Sequence, residues 1–375
     1  MLYYIDESCV EALKKGDRDA AEFIEQLVIH RRKCKNMLVA SRRVFAELSK
    51  AEALSGFARE YFRILKNRSI EYKLILDGAS KYYKVVSEYT GDKRVMEGER
   101  ECVLLSVKEG NEADFSDKSI LLVESNDDID FYAFIGKFYL QNKGIQNMRI
   151  SFQSEIGGGD TTGIRLAKII DEGQRTCLCI ADSDRRYLEA QCGETLKKIL
   201  EAASKREPVN YEVYALNMHE IENLIPVELL ENICEEIPDA FEGIQFLKFL
   251  LSEDRSMTSS VYFFDYKKGI CKEHFYLKKD CKKDEEKKFR KLEGYRNYWR
   301  PILERYGIVL NEAVDDIIVH GICERILKHT IQYLKSRWEE DRVYEAVNNS
   351  YIREAWLEIG SKIVTWGCVG NRILS

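Results

Sequence analysis

Four short apolar runs alternate with amphipathic stretches between Ser119 and Pro226, and this alternation constrains the fold more than any other feature of the chain. SILLVE, MRISFQ, TCLCIADSD and YEVYAL have the length and apolar density of buried strands. DIDFYAFIGKFYLQNKG sets Ile129, Tyr132, Phe134, Ile135 and Phe138 near a period of about 3.6 residues, so it is expected to be helical. GGGDTTG reads as a loop whose Asp and Thr start the helix TTGIRLAKIIDEG, and YLEAQCGETLKKILEAASK is read as a third helix. This β-α-β-α-β-α-β order implies a largely parallel sheet covered by helices, and the expected fold class is α/β.

Residues 1–115 also read as α/β. LYYI is a strand ending at Asp6, a helix-like stretch follows through Ala20 to His30, MLVA is strand-like and RRVFAELSKAEAL is helical. EYKLIL is a further strand candidate, and GERECVLLSVKEG is expected to close the region as a helix. The polar, turn-rich GNEADFSDK marks a boundary. Residues 227–375 read as mainly helical, apart from the β-like SSVYFFDYKKGI. Three domains are therefore expected, over 1–115, 119–226 and 227–375. Only four prolines interrupt the 375 residues, so long elements are allowed.

Composition narrows the class. Hydrophobic residues at 45% and charged residues at 33% supply an ordinary core and surface. No apolar run reaches the roughly 18–20 residues of a membrane span. The start, MLYYIDESCVEALKKGD, carries an early acid and no basic segment ahead of a long apolar one, so neither a leader nor membrane association is expected. The 11 cysteines are scattered without a CxxC, which fits reduced, buried thiols and a cytoplasmic location. The five histidines do not sit at zinc-ligand spacing. A net charge of −6 argues against coating DNA by bulk charge, and suits an enzyme whose acids are neutralised by a divalent ion.

Acids and glycines collect where the central strands should end. Glu124 ends SILLVE, with Asp127 and Asp128 behind it. Gly157, Gly158 and Gly159 follow MRISFQ. Asp182 and Asp184 end TCLCIADSD, and Glu220 and Glu222 follow YEVYAL. Open parallel sheets bind ligands beyond the carboxyl ends of their strands. Converging carboxylates repel one another unless a cation sits between them, and oxygen donors in such numbers suit Mg²⁺ or Mn²⁺. A D-x-D on an extended strand end would put both carboxylates on one side. Two ions held there would activate water and stabilise the leaving oxygen in phosphodiester cleavage. The triple glycine would let backbone approach a phosphate, with the next helix N-terminus attracting the anion. Each feature also has a plainer meaning: D-x-D as a solvated strand end, GGG as a turn, Glu222 and Asn223 as a helix cap.

LLVESNDDIDFY resembles the first motif of TOPRIM domains, in which a strand-ending Glu precedes an Asp and an aromatic-rich helix. IADSD resembles the TOPRIM D-x-D. HEIENLIP resembles the motif that follows in TOPRIM nucleases of the overcoming-lysogenization-defect type and in related bacterial proteins of uncharacterised function. The resemblance implies Glu124 as a metal-binding or base carboxylate, Asp128, Asp182 and Asp184 as metal ligands, and Glu222 as completing the site. It also implies a role in defence against phage. Where the family carries Gly after the first Glu, this chain has Ser125.

In the amino-terminal part, Asp6 ends the first strand, Glu47 lies on the helix after MLVA, and Glu99 and Glu101 are expected to open a helix. That order loosely resembles the PIN-domain nucleases and implies a second acidic site. The plainer meaning is a turn cap and three solvated acids. Further on, Lys267–Arg300 mixes lysines with acids, as a solvated helix face does. It would alternatively track phosphates, with Arg296, Arg300, Tyr298 and Trp299 near bases.

The leading expectation is an Mg²⁺- or Mn²⁺-dependent nuclease acting on DNA or RNA. A non-catalytic nucleic-acid or nucleotide-binding sensor module, or a ribonuclease working through the amino-terminal part, are the alternatives. No GxxxxGK[ST] occurs, so an ATPase partner would be a separate chain.

Overall fold

A computed structural model describes all residues except 208, 239, 254–258, 278–288, 312–313, 339–340 and 372–375. The chain is α/β, as the alternation requires. It forms two compact units. The first comprises Met1–Cys179, Ile199–Tyr214 and Trp356–Ser375, and the second Ile180–Lys198 and Ala215–Ala355. Residues 1–115 and 119–179 thus lie together in the first.

The first unit holds a five-stranded sheet. β1 (Leu2–Ile5) pairs in parallel with β2 (Met37–Val39) and β3 (Lys81–Val86). β4 (Arg94–Glu97) is an antiparallel edge on β5 (Arg100–Ser106), which runs parallel to β3. Polar caps start the helices. Asp6 accepts from Ser8 N at 2.9 Å ahead of Glu7–Lys14, Asp17 caps Arg18–Arg32, and Ser41 caps Arg42–Leu48.

Two expectations fail here. EYKLIL is not a strand but part of the helix Ser69–Gly78, because Tyr72 and Ile75, three apart, are buried while Leu74 is exposed. GERECVLLS is not helical; it is β5, with Cys102, Val103 and Leu105 buried, and the helix begins only at Val107. KYYKVV is the strand the sequence hides. Its first residue, Lys81, is buried, 3.6 Å from Glu101 and over the Trp366 ring.

The second sheet has the order β10-β9-β6-β8. β6 (Ile120–Val123) runs parallel to β8 (Gln153–Ile156) and β9 (Cys177–Ala181), and β10 is Tyr211–Ala215. β6 and β9 are buried throughout, which is why they read as continuous apolar runs. MRISFQ splits. Met148–Ile150, here β7, pairs antiparallel with Cys368–Gly370, and it is QSEI that joins β6 and leads to the triple glycine. The boundary between the units passes through β9 and β10.

The second unit is mainly helical, with Val227–Ile233, Ala240–Ser252, Glu293–Arg305 and Ile326–Arg337 among its helices. Of the stretch read as a third helix, only Glu194–Ala203 is helical. SSVYFFDYKKGI is a 3-10 turn over Ser259–Phe263, then β11 (Ile270–Cys271) paired with β12 (Ile317–Val319). Val261, Phe263, Phe264 and Tyr266 are core residues. Among the described residues no helix is long and apolar enough to cross a membrane, and the described cysteines are free thiols.

Candidate metal centre

Past Ala181 the chain leaves the sheet, and Asp184 takes a left-handed backbone with φ of 55°. The D-x-D is therefore not on extended strand, and alternation does not set its side chains. Asp184 is held by its own N–H, which donates to the His219 carbonyl at 2.9 Å. His219 lies past β10, and its N–H donates to the Tyr262 carbonyl at 2.8 Å. Asn223 fixes the rest of the loop. It accepts from Glu220 N at 3.0 Å and donates to the Val261 and Phe264 carbonyls at 3.0 and 2.9 Å.

These bonds gather Asp184, His219 and Glu220, each offering a ligand atom within 4.8 Å of the others. The His219 side chain is only 3% exposed. Among the described residues neither of its ring nitrogens has a hydrogen-bond partner. Its closest carboxylate oxygens, Glu220 Oε1 and Asp265 Oδ2, each lie 3.8 Å from Nε2, too far for a hydrogen bond. A buried imidazole that makes no hydrogen bond is costly and needs an explanation. Lys267 Nζ stands 2.8 Å from Glu220 Oε2 and 3.1 Å from Glu222 Oε1, while Glu222 Oε2 is buried without a hydrogen-bond partner.

Charge is compressed here. Burial, reinforced by Glu220, raises the Asp184 carboxyl against the pull of His219, Arg186 and Lys267. Burial likewise raises Glu222, with Lys267 opposing and Glu220 adding to it. Burial would lower Lys267, but Glu222 and Glu220 outweigh it and raise the ammonium above its ordinary value. Burial works against the Asp265 charge too, yet the His219 ring and the N–H groups of Lys268 and Lys267 hold it down at about 2. One nitrogen and several oxygens, with orphaned atoms on His219 and Glu222, fit a divalent ion. A set containing imidazole favours Mn²⁺ over Mg²⁺.

Of the acids named from the sequence, Asp184 and Glu220 belong to this cluster, Glu222 is tied to it through Lys267, and Asp182 lies just beyond β9 in the same unit. Glu124 and Asp128 lie in the first unit, past β6. There Asp128 is a capping residue. Its Oδ2 accepts from Glu124 N and Ser125 N at 3.2 and 2.9 Å, and Ser125 Oγ donates to Oδ1 at 2.6 Å. Gly158 and Gly159 have φ of 68° and 63°, as a tight glycine loop needs, and Gly157 packs against Thr162, where a Cβ would meet Oγ1 at 1.9 Å.

The four amino-terminal acids do not gather. Ile5 pairs with Val85 at one end of β3, whereas Glu101 pairs with Lys81 at the other. Asp6 and Glu101 are thus about 16 Å apart along the sheet. Asp6 faces Lys84 at 3.6 Å, Glu47 faces Lys14 at 3.7 Å, Glu101 contacts Lys81, and Glu99 is exposed in the turn before β5. Glu99 and Glu101 open no helix; the acid that does is Glu109, in a capping box with Ser106.

Trp299 is fully buried, its indole donating to the Arg186 carbonyl at 2.8 Å, and Tyr298 shares its hydroxyl with Ser260 at 2.7 Å. Trp299 therefore offers no free face for a base. Arg296 spends its guanidinium on the Phe289 carbonyl at 2.8 Å and the Phe289 ring, while Arg300 is exposed. The lysine-rich stretch 278–288 lies outside the described residues. Sequence reasoning passed over His219 and Asp265; the only signal was that His219 opens the HEIEN run. Compared with protein-family models, curated proteins and solved structures, the chain matches none, so its chemistry is read from its own residues.

Proposed function

We propose that the chain is a divalent-metal-dependent hydrolase of nucleic-acid phosphodiesters, with Asp184, His219 and Glu220 as the metal-holding set. The observation that carries this is the buried His219, whose ring nitrogens make no hydrogen bond, grouped with the Asp184 and Glu220 carboxylates. When bound, the ion would supply a water acidic enough to attack at neutral pH and would neutralise charge on the phosphate. Glu222 and Lys267 flank the set. Lys267 holds its proton firmly and offsets the negative charge of the two glutamates. Burial of His219 and Glu222 keeps bulk water from screening the charges beside them. The TOPRIM resemblance adds Asp182 as a further carboxylate of this set, gives Glu124 a catalytic role of its own to be tested, and suggests a defence role.

The test is cleavage of single- and double-stranded DNA and RNA with Mn²⁺ or Mg²⁺, against a chelator control. Asp184→Asn and His219→Ala are expected to lose about 100-fold or more in rate with circular dichroism unchanged. Glu124→Gln and Asp182→Asn test the part supplied by resemblance. Wild-type activity in Asp184→Asn and His219→Ala would refute the assignment. A second possibility, a binding module without catalysis, is favoured by Lys267, which already neutralises part of the acidic charge. Tight nucleic-acid binding with no cleavage under any metal would establish it.

A further inference from the structure

A second concave site lies in the first unit. A cavity of about 480 Å³ is lined by Ile29, Arg32, Lys33, Cys34, Phe57 and Arg149, with no acid among them. Its cations come from two elements. Arg32 and Lys33 end the helix Arg18–Arg32, and Arg149 projects from β7. Cations at a helix C-terminus are favourable by themselves, which accounts for Arg32 and Lys33 but not for Arg149. Among the described residues no carboxylate forms an ion pair with any of the three. Like charges facing one space without a counter-ion raise each other's energy, and a bound anion relieves that. The wall is also aromatic. The Arg32 guanidinium lies over the Phe57 ring, 4.9 Å from its centre, so a cationic and an aromatic group stand together in the wall. Ile29, 41% exposed, extends the apolar side. At the floor, Cys34 is buried in a left-handed backbone, φ 55°, which fixes the turn between Lys33 and β2.

We infer that this cavity binds a nucleotide, its phosphate on Arg32, Lys33 and Arg149 and its base against the Phe57–Arg32 face. A planar ring that also carries a phosphate satisfies both halves of the lining, whereas a bare anion leaves the aromatic wall unused and a neutral aromatic leaves the charges unmatched. The volume admits a single nucleotide unit, either free or at the end of a strand. The inference does not depend on the acidic cluster of the second unit, and a chelator separates the two.

The experiment is titration of ATP, a 5′-phosphorylated oligothymidylate and inorganic phosphate into the full chain in excess chelator. Arg32→Glu combined with Arg149→Glu is expected to weaken nucleotide binding by at least about tenfold, and raised salt should weaken it in the wild type. Phe57→Ala should weaken both nucleotide probes while leaving inorganic phosphate unchanged. Binding of ATP identifies a free nucleotide as ligand, and binding of the oligonucleotide alone identifies a strand end; either supports the site. Both arginines are exposed, so the reversed chain should keep its circular dichroism. No binding of any nucleotide at millimolar concentration, or equal affinity in the charge-reversed chain, would overturn the inference. Phosphate bound as tightly as ATP would do the same.

Discussion

Asp265 shows at the residue scale how the cluster shapes stability. Its carboxyl is held down at about 2 from an ordinary 3.8. A carboxylate with a depressed folded value binds fewer protons folded than unfolded at acid pH. Its stabilising effect is therefore complete above about pH 4 and is lost as pH falls through 2. The size is about 2 kcal/mol at neutral pH. Asp265→Asn should cost about that much in urea unfolding at pH 7 and flatten the stability profile between pH 4 and 2. An unaltered profile would mean that His219 and the backbone N–H groups do not hold this charge. His219 itself was illegible in the sequence for a physical reason. It is defined by a backbone bond from Asp184, 35 residues earlier, and by its own N–H donating to the Tyr262 carbonyl, neither of which leaves a local pattern.

Elements explain what was legible and what was not. ILLV and CLCIA stand out because parallel strands buried on both faces must be apolar throughout. KYYKVV does not, because it starts on a lysine whose charge is met by Glu101 only after folding. EYKLIL misleads because its apolar density suits a strand while its burial follows a helix. The helix Asn126–Asn142 was legible, but the meaning of its first turn was not. Ser125 and Asp128 form a reciprocal capping box, so Ser125 has a local structural role. Ser125→Ala should cost about 1 kcal/mol and Ser125→Gly only a few tenths, measured by urea unfolding. Equal losses would show that the cap contributes nothing.

At the scale of the whole molecule, chain order and packing part company. The first unit is closed by the last described residues. Trp366 is buried and donates to Glu212 Oε2 at 2.7 Å, and Lys362 reaches the other oxygen of that carboxylate at 2.5 Å. Trp356 meets Phe131 and Phe138 edge-on at 5.6 and 5.5 Å. Trp366→Ala should therefore cost about 3–5 kcal/mol, read as a lower denaturant midpoint. A loss below 1 kcal/mol would mean that the helix Arg353–Gly367, which carries Trp366, merely rests on the unit. The α/β class followed from alternation along the chain, but this long-range closure did not, since nothing near residue 366 refers to residue 212.

Whether the acidic cluster holds a metal decides the functional account, and Mn²⁺ binding measured by calorimetry on the intact chain asks it directly. Saturable binding is predicted for the wild type, weakened at least about tenfold by His219→Ala and by Asp184→Asn with the fold retained. Affinity unchanged by either substitution, or no Mn²⁺ binding at all, would contradict it.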